Sequence, residues 1–237
     1  MNVNGLTSKA TPRPTPAATA STLRSLSSDA EFRPKFYARI GKRVFDVVGV
    51  LLLLPLVVPL ILLFWMITRK DGGPGLFGHH RIGQNGTRFT CWKLRTMAVD
   101  AEEQLAQHLK NCPAARAEWD ANFKLAIDPR VTPLGNFLRK SSLDELPQFL
   151  NVLRGDMSLV GPRPVVSDEL ALYGTQAALY LRCKPGLTGR WQISGRNNVS
   201  YAERVKMDVE YIQEMSLFRD LSIVLQTAFV VVKATGK

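Results

Sequence analysis

The stretch GVLLLLPLVVPLILLFW, residues 49–65, decides the fold class of this chain of 237 residues. No charged residue occurs from position 47 to position 68. A straight helix of that length spans about 33 Å, which is enough for a hydrocarbon core of about 30 Å. Few soluble helices are apolar on every face over such a length. We therefore expect a membrane helix rather than the buried helix of a soluble core.

Two prolines, Pro55 and Pro59, lie inside this stretch at mid-membrane depth. Proline lacks a backbone N–H and costs about 3 kcal/mol in a helix interior, and hydrocarbon offers no water to the freed carbonyls. Basic residues, which mark the cytoplasmic side of a membrane segment, flank the stretch at both ends: Lys35, Arg39, Lys42 and Arg43 before it, and Arg69, Lys70, Arg81 and Arg88 after it. Both features predict a re-entrant helix that breaks at Pro55 and Pro59, with a kinked span as the alternative.

The composition divides the chain into three parts. Residues 1–34 are rich in Thr, Pro, Ala and Ser and predict a disordered tail. Residues 35–70 contain the basic flank and the membrane helix, and residues 71–237 form a compact cytoplasmic domain. The expected class is α+β, mostly helical, with short strands and interfacial helices. The net charge of +11 favours an anionic partner, which can be nucleic acid, an acidic membrane surface or a phosphate-bearing substrate.

Local signals place several elements in the domain. The Asn85-Gly86 pair predicts a tight hairpin turn followed by a strand over residues 88–94. Residues 98–125 are helix-prone with an interruption at Pro113, and apolar residues at helical spacing predict a helix over residues 201–212. Pro185-Gly186 predicts a type II turn. The apolar but partly charged residues 217–232 predict a helix that packs on the domain or lies in the bilayer interface.

The chemistry concentrates in residues 137–164, FLRKSSLDELPQFLNVLRGDMSLVGPRP. Asp144 and Glu145 are adjacent carboxylates, and the spacing of Ser142 and Glu145 is also that of a helix capping box. Arg139 and Lys140 lie just upstream. Surrounding cations favour a phosphoryl-transfer site in which the acids hold Mg²⁺ or attack phosphorus directly.

A second basic element is the GPRP sequence, in which Arg163 lies between two prolines. Proline restricts its own φ angle and the preceding residue, so the backbone is stiff and the guanidinium is pre-positioned for phosphate oxygens. Further on, Trp191 and Arg196 could hold a nucleobase and its phosphates, or form a core tryptophan beside a surface arginine.

Five motifs, in this order and spacing, resemble one family: KRVFD, WKLRTM, SSLDELPQ, NVLRGDMSLVGPRP and KPGLTGRWQISGRN. The chain resembles the bacterial sugar transferases over residues 36–233, and among them the small monotopic phosphoglycosyl transferases that act on polyprenyl phosphate. The domain of residues 71–237 is then the phosphoglycosyl transferase domain. The family's membrane helix breaks at a Ser-Pro pair, and this chain has Val58 before Pro59, so the break rests on proline alone.

The resemblance implies a reaction and a set of site residues. A nucleotide diphosphate sugar, expected to be a UDP-hexose, gives its sugar-1-phosphate to undecaprenyl phosphate, as the first membrane step of exopolysaccharide synthesis. Asp144 matches the family's nucleophile, which forms an aspartyl-phosphate sugar intermediate, and Glu145 matches its neighbour, an expected acid/base or Mg²⁺-supporting group. Mg²⁺ is implied at Asp144. The implied phosphate and substrate contacts are Lys93, Arg95, Arg139, Arg163 and Arg196.

The implied location is the bacterial inner membrane, with the catalytic domain on its cytoplasmic face. The expected partners are undecaprenyl phosphate, a nucleotide sugar and the lipid bilayer, without nucleic acid, and oligomerisation stays open. The competing interpretation is a membrane-anchored basic binding or scaffold protein without catalytic activity. That alternative explains the charge, but it does not explain carboxylates placed among arginines.

Overall fold

The structure is a computed structural model that describes residues 36–122, 124–194 and 199–232. Its helices are α1 (Lys42–Thr68), α2 (Ala101–Asn111), α3 (Pro113–Asn122), α4 (Pro133–Ser141), α5 (Gln148–Arg154), α6 (Ser167–Leu170), α7 (Ala177–Tyr180), α8 (Arg190–Ile193), α9 (Tyr201–Glu214) and α10 (Leu217–Val232). Its strands are β1 (Leu76–Ile82), β2 (Arg88–Leu94), β3 (Ser158–Val160) and β4 (Gly186–Thr188). The predicted mostly helical class with short strands is confirmed. The tail predicted for residues 1–34 lies outside the described residues.

Helix α1 follows a π-helical turn, Tyr37–Gly41, and contains both Pro55 and Pro59. It belongs to a helical run of 35 residues, Tyr37–Asp71, that is long and apolar enough to cross a membrane. Of the 18 consecutive residues that are most apolar in this run, only 11% are buried. Leu52, for example, is 76% exposed. Because a helix of a soluble core would be mostly buried, this exposure supports contact with lipid. The re-entrant course stays a prediction.

The first turns of α1 are fixed to the domain by polar contacts. Nζ of Lys42 lies 2.6 Å from the Asp220 carboxylate of α10 and donates to the Tyr211 hydroxyl at 2.9 Å. The Asp46 carboxylate accepts hydrogen bonds from the Ser158 hydroxyl at 2.8 Å and from the Leu159 amide at 2.9 Å. These contacts hold the start of the membrane helix against β3 and the two C-terminal helices.

Strands β1 and β2 form an antiparallel hairpin with Leu76 opposite Leu94 and Ile82 opposite Arg88. Asn85 and Gly86 take φ angles of 57° and 73° in the turn, which confirms the hairpin predicted there. The side chain of Asn151 on α5 accepts from the Trp92 amide and donates to the Thr90 carbonyl. The hairpin is therefore hydrogen-bonded to α5, the helix that follows the carboxylate pair.

Strands β3 and β4 pair in parallel, with Ser158 opposite Gly186 and Val160 opposite Thr188. The type II turn predicted at Pro185-Gly186 is wrong, because Gly186 lies in β4 and is not among the glycines with positive φ. Glycine is needed there for space, since a Cβ on Gly186 would lie 2.1 Å from the Gly161 amide nitrogen. This close approach joins the GPRP loop to the segment that precedes α8.

Four other helices, α2, α3, α9 and α10, agree with the sequence patterns that predicted them. Helix α2 ends at Asn111 and α3 begins at Pro113, which confirms the predicted interruption. Helix α9 buries Tyr211 and Ile212 in the core. In α10, Ile223 is buried while Phe218 is 83% exposed, so one face packs on the domain and an apolar face remains outside it. The interfacial position of α10 stays a prediction.

Candidate active site

The carboxylate pair lies in a single turn of 3-10 helix, Leu143–Glu145, between α4 and α5. Ser142 ends α4 in the left-handed region, with φ of 59° and ψ of 18°. A capping serine needs extended backbone angles so that its hydroxyl can accept from the following turn, and the Ser142 side chain makes no such bond. The capping-box interpretation is therefore wrong, and the two acids are available for another role.

Lys93 on β2 holds both acids. Its Nζ lies 2.6 Å from Oε1 of Glu145 and 3.7 Å from Oδ2 of Asp144. Burial alone would lower the pKa of Lys93, but the carboxylates of Glu145 and Asp144 more than offset it and hold that pKa above its ordinary value. The structure thus brings together three of the predicted site residues, with the carboxylates of Asp144 and Glu145 beside the ammonium of Lys93.

Asp144 is only 8% exposed, and this burial dominates its electrostatics. Desolvation raises the pKa of Asp144 to about 6. The cations of Lys93 and Arg139 act in the opposite direction, and the neighbouring charge of Glu145 raises the pKa further. Near neutral pH the Asp144 carboxyl is therefore mostly ionised but poorly solvated, as befits a nucleophile in a water-poor site.

A cavity of about 440 Å³ is lined by Glu145 of the pair and by Ser142 and Leu143, whereas Asp144 is adjacent to these residues but is not part of the lining. Arg139 and Arg163 add positive charge to its wall. Its apolar wall comes from several elements, α1 and α10 among them: Leu53, Leu146, Phe149, Leu159, Leu187, Ile193 and Val224. An apolar chain that ends in a phosphate would match both kinds of wall.

Four contacts set the positions of the two arginines. Nε of Arg139 donates to the Thr96 hydroxyl at 2.8 Å. The Arg163 backbone is held from both sides, since its carbonyl accepts from the Tyr180 hydroxyl at 2.9 Å and its amide faces the Asp208 carboxylate at 3.4 Å. The Arg163 guanidinium lies 5.2 Å from the centre of the Trp191 ring, within the range of a cation–π contact. The stiff loop expected from GPRP is thus reinforced by side chains of α7 and α9.

Arg95 is not brought to the carboxylate pair by any contact of its guanidinium. Its nitrogens donate to the carbonyls of Pro74, Met97 and Thr68 and to the Asp71 carboxylate. These bonds tie the end of α1 to the end of β2. The phosphate role expected for Arg95 stays a prediction that would require breaking them, and Arg196 lies outside the described residues.

Asp208 and Trp191 are site residues whose roles the sequence interpretation missed or left open. Asp208 is buried on α9, where it accepts from the Tyr173 hydroxyl at 2.7 Å and burial raises its pKa to about 7. The sequence signal that could have identified Asp208 was a carboxylate at a core position of the amphipathic helix predicted over residues 201–212. Trp191 is buried beneath Arg163, and its indole N–H has no hydrogen-bond partner among the described residues.

The described residues contain no group of three or more His, Cys, Asp and Glu side chains that could hold a metal ion. Mg²⁺, however, is usually held by one or two carboxylates together with waters and substrate phosphates. Asp144 and Glu145 supply two carboxylates beside a cavity whose arginines suit phosphate. The donor set therefore fits Mg²⁺ in a complex with a phosphate-bearing substrate.

Comparison with known proteins identifies the family. Residues 37–234 match the bacterial sugar transferase family. The chain is 49% identical over 199 residues to undecaprenyl-phosphate galactose phosphotransferase of Salmonella typhimurium, covering 84% of this chain and 42% of that protein. It is 50% identical over 203 residues to UDP-galactose-lipid carrier transferase of Erwinia amylovora, covering 85% of this chain and 42% of that protein.

A shorter relative matches along most of its length. Exopolysaccharide production protein ExoY of Sinorhizobium fredii is 54% identical over 189 residues, covering 79% of this chain and 84% of the relative. The chain thus spans less than half of the first two relatives and most of the third. Because the family match covers nearly all described residues, the carboxylate pair, the arginines and the cavity included, the chain belongs to the bacterial sugar transferase family.

Proposed function

We propose that this chain transfers a sugar-1-phosphate from a nucleotide diphosphate sugar, with UDP-hexoses as the expected class, to undecaprenyl phosphate. The observation that carries the proposal is the buried Asp144 carboxylate, which shares Lys93 with Glu145, the member of the pair that lines a cavity with both arginines and an apolar wall. The names of two relatives support the lipid carrier and the UDP-sugar donor. The product is undecaprenyl-diphosphate sugar, which starts exopolysaccharide synthesis.

In the first step an oxygen of ionised Asp144 attacks the phosphorus that carries the sugar. The bond from that phosphorus to the bridging oxygen breaks, and nucleoside monophosphate leaves with the electron pair. Arg139 and Arg163 offset the charge of the phosphate oxygens. Lys93 keeps Asp144 in place and partly compensates its charge, since its ammonium bridges Asp144 and Glu145.

In the second step an oxygen of undecaprenyl phosphate attacks the phosphorus of the aspartyl-phosphate sugar. The acyl–phosphate bond breaks, and Asp144 is regenerated as a carboxylate. Glu145 accepts a proton from an incoming phosphate oxygen when that oxygen is protonated. Mg²⁺, held by Asp144 with support from Glu145, would supply charge neutralisation for the diphosphate.

The two substrates differ in solubility, and the position of the site fits this difference. Leu53 of α1 and Val224 of α10 give the cavity an apolar side for the first part of the lipid chain. Arginines and carboxylates give it a polar side for a soluble nucleotide sugar. We therefore place the domain on the cytoplasmic face of the inner membrane, with α1 dipping into one leaflet and returning.

Release of nucleoside monophosphate tests the reaction. Purified chain with Mg²⁺ and undecaprenyl phosphate is offered a panel of sugar nucleotides, and we expect release with one class of donor. Asp144→Asn should abolish release, while the matched change at the exposed Asp168, Asp168→Asn, should leave it unchanged. Donor labelled in the sugar phosphate, given without lipid acceptor, should label the native chain covalently and leave Asp144→Asn unlabelled.

Two outcomes would overturn the proposal. Full activity of Asp144→Asn would remove Asp144 as the nucleophile. Absence of turnover across the donor panel, combined with salt-sensitive binding to anionic membranes or nucleic acid, would favour the binding or scaffold protein.

The topology has its own test, since single cysteines at each end of α1 should both be protected from a membrane-impermeant thiol reagent in intact cells.

A further inference from the structure

A second cavity, of about 610 Å³, lies at the N-terminal end of α1. It shares no lining residue with the cavity beside Asp144. Five basic residues and a single acid line it: Arg39, Lys42, Arg43, Arg182, Lys184 and Asp46. A wall of this charge favours an anion, and the proposed reaction gives this cavity no role.

The charges of the lining are only partly compensated within the protein. Lys42 is neutralised by its ion pair with Asp220. Arg43 donates to the carbonyls of Val152 and Leu153 at 2.5 and 2.6 Å, and these neutral acceptors leave its charge in place. Neither Arg43 nor Lys184 forms an ion pair with any residue that the structure describes. The cavity therefore retains positive charge that a ligand can neutralise.

Two of these cations crowd each other. A Cβ atom on Gly155 would lie 3.3 Å from Nζ of Lys184 and 3.8 Å from Cζ of Arg43, so both cations flank one point of the backbone. Burial and the nearby Arg43 lower the pKa of Lys184, against weaker effects of Asp46 and Asp156 in the other direction. Like charges at such separations repel, and an anion between them would convert this repulsion into attraction.

The surroundings indicate which anion is within reach. Phe36, Ile40 and Val44 are 77%, 57% and 55% exposed, and their spacing of four residues places them in one apolar stripe along the helix. The stripe passes through the same helical turns as Arg39 and Arg43. Side chains that suit acyl chains therefore adjoin a cavity that suits phosphate, as in a site for a phospholipid at the membrane surface.

We propose that this cavity binds the phosphate headgroup of an anionic phospholipid. The guanidinium groups of Arg39 and Arg43 and the ammonium of Lys184 contact the phosphate, and the apolar stripe contacts the acyl chains. The site is distinct from that of the transferred phosphates. Its occupation would hold the first turns of α1 at the membrane surface whether or not catalysis takes place.

Lipid binding by the full chain in an uncharged detergent tests the proposal. Dihexanoyl phosphatidylglycerol, dihexanoyl phosphatidylcholine and inorganic phosphate are titrated separately, and the thermal midpoint reports binding through mass action. We expect phosphatidylglycerol to bind at least tenfold more tightly than the other two. Lys184→Ala and Arg39→Ala should each weaken it about tenfold, whereas Lys110→Ala, on the exposed face of α2, should bind as the native chain does.

The unliganded midpoints and the soluble anion complete the test. Without lipid, Lys184→Ala should unfold at or above the native midpoint, because removing one of two crowded cations costs no ion pair. Equal shifts with phosphatidylglycerol and phosphatidylcholine would overturn the site, as would unchanged phosphatidylglycerol binding in both variants. Inorganic phosphate binding as tightly as phosphatidylglycerol would assign the cavity to a soluble phosphate and overturn the lipid. Since none of these readouts involves turnover, failure here is distinguishable from failure of the proposed reaction.

Discussion

Replacing Asp144 by asparagine should inactivate the protein and stabilise it at the same time, in a manner that depends on pH. The pKa of Asp144 is raised from 3.8 to about 6 by burial, and each unit corresponds to about 1.36 kcal/mol. Ionised Asp144 therefore costs the folded state about 3 kcal/mol at pH values above 6. Asparagine keeps the shape without the charge, and Lys93 retains its ion pair with Glu145.

The sign of the effect follows from proton linkage. Because the folded pKa lies above the unfolded value, the protonated carboxyl confers stability that is complete below pH 3.8 and is lost as pH rises through 6. The difference between Asp144→Asn and the native chain should accordingly be smallest near pH 4 and level off above pH 6. For a chain of this size about 3 kcal/mol corresponds to roughly 6 to 12 °C in the thermal midpoint.

The assay is a series of thermal midpoints in detergent from pH 4 to pH 8 at one scan rate, beside the pH dependence of nucleoside monophosphate release. Release by the native chain should rise about tenfold per pH unit up to about pH 6, since the proposed nucleophile is the ionised carboxylate. Asp168→Asn serves as the control, because this exposed side chain has little desolvation to relieve. A stability difference for Asp144→Asn that stays flat across this pH range would refute the reasoning from burial.

Three further changes test other parts of the structure. Lys93→Met removes the cation beside Asp144, so the rising limb of the pH–rate profile should move about one unit higher, and release should fall about tenfold at pH 5 but only about twofold at pH 7; an unmoved limb would contradict this. Asp46→Ala leaves the buried Ser158 hydroxyl and a backbone amide without their acceptor and should lower stability by about 2–4 kcal/mol in denaturant titrations. Gly186→Ala introduces a Cβ into neighbouring backbone, and we expect loss of folded protein on size-exclusion chromatography; a folded, active variant would contradict the parallel β3–β4 pairing.

The sequence was most informative where local rules apply. The strand over residues 88–94 and the turn at Asn85-Gly86 follow from β-propensity and positive φ, and the structure has β2 at Arg88–Leu94. The interruption at Pro113 follows from the missing N–H of proline. Each feature depends on residues close together in the chain, so no knowledge of the tertiary structure was needed.

Long-range contacts explain what the sequence could not predict. The short parallel pairing of β3 with β4 turned an expected type II turn at Gly186 into a strand, and its partner lies far away in sequence. The spacing of Ser142 and Glu145 was that of a capping box. Because the Ser142 backbone is left-handed, however, its hydroxyl makes no capping hydrogen bond. The motif around Arg95 predicted a phosphate ligand. In the structure its guanidinium donates hydrogen bonds to the carbonyls of Pro74 and Thr68, which lie in other parts of the chain.

The attachment of α1 bears on how a lipid substrate would reach Asp144. Lys42, Arg43 and Asp46 fix the first turns of α1 to the domain, so in the proposed topology these turns and the domain would share one height at the membrane surface. Leu53, which lines the cavity beside the carboxylate pair, follows Asp46 by about two turns, or roughly 10 Å along the helix axis. One leaflet of a bilayer core is about 15 Å thick. In the proposed topology the apolar wall of the cavity would therefore lie within a single leaflet, and the polyprenyl chain of the proposed acceptor would reach it there while its phosphate stays at the surface with the arginines.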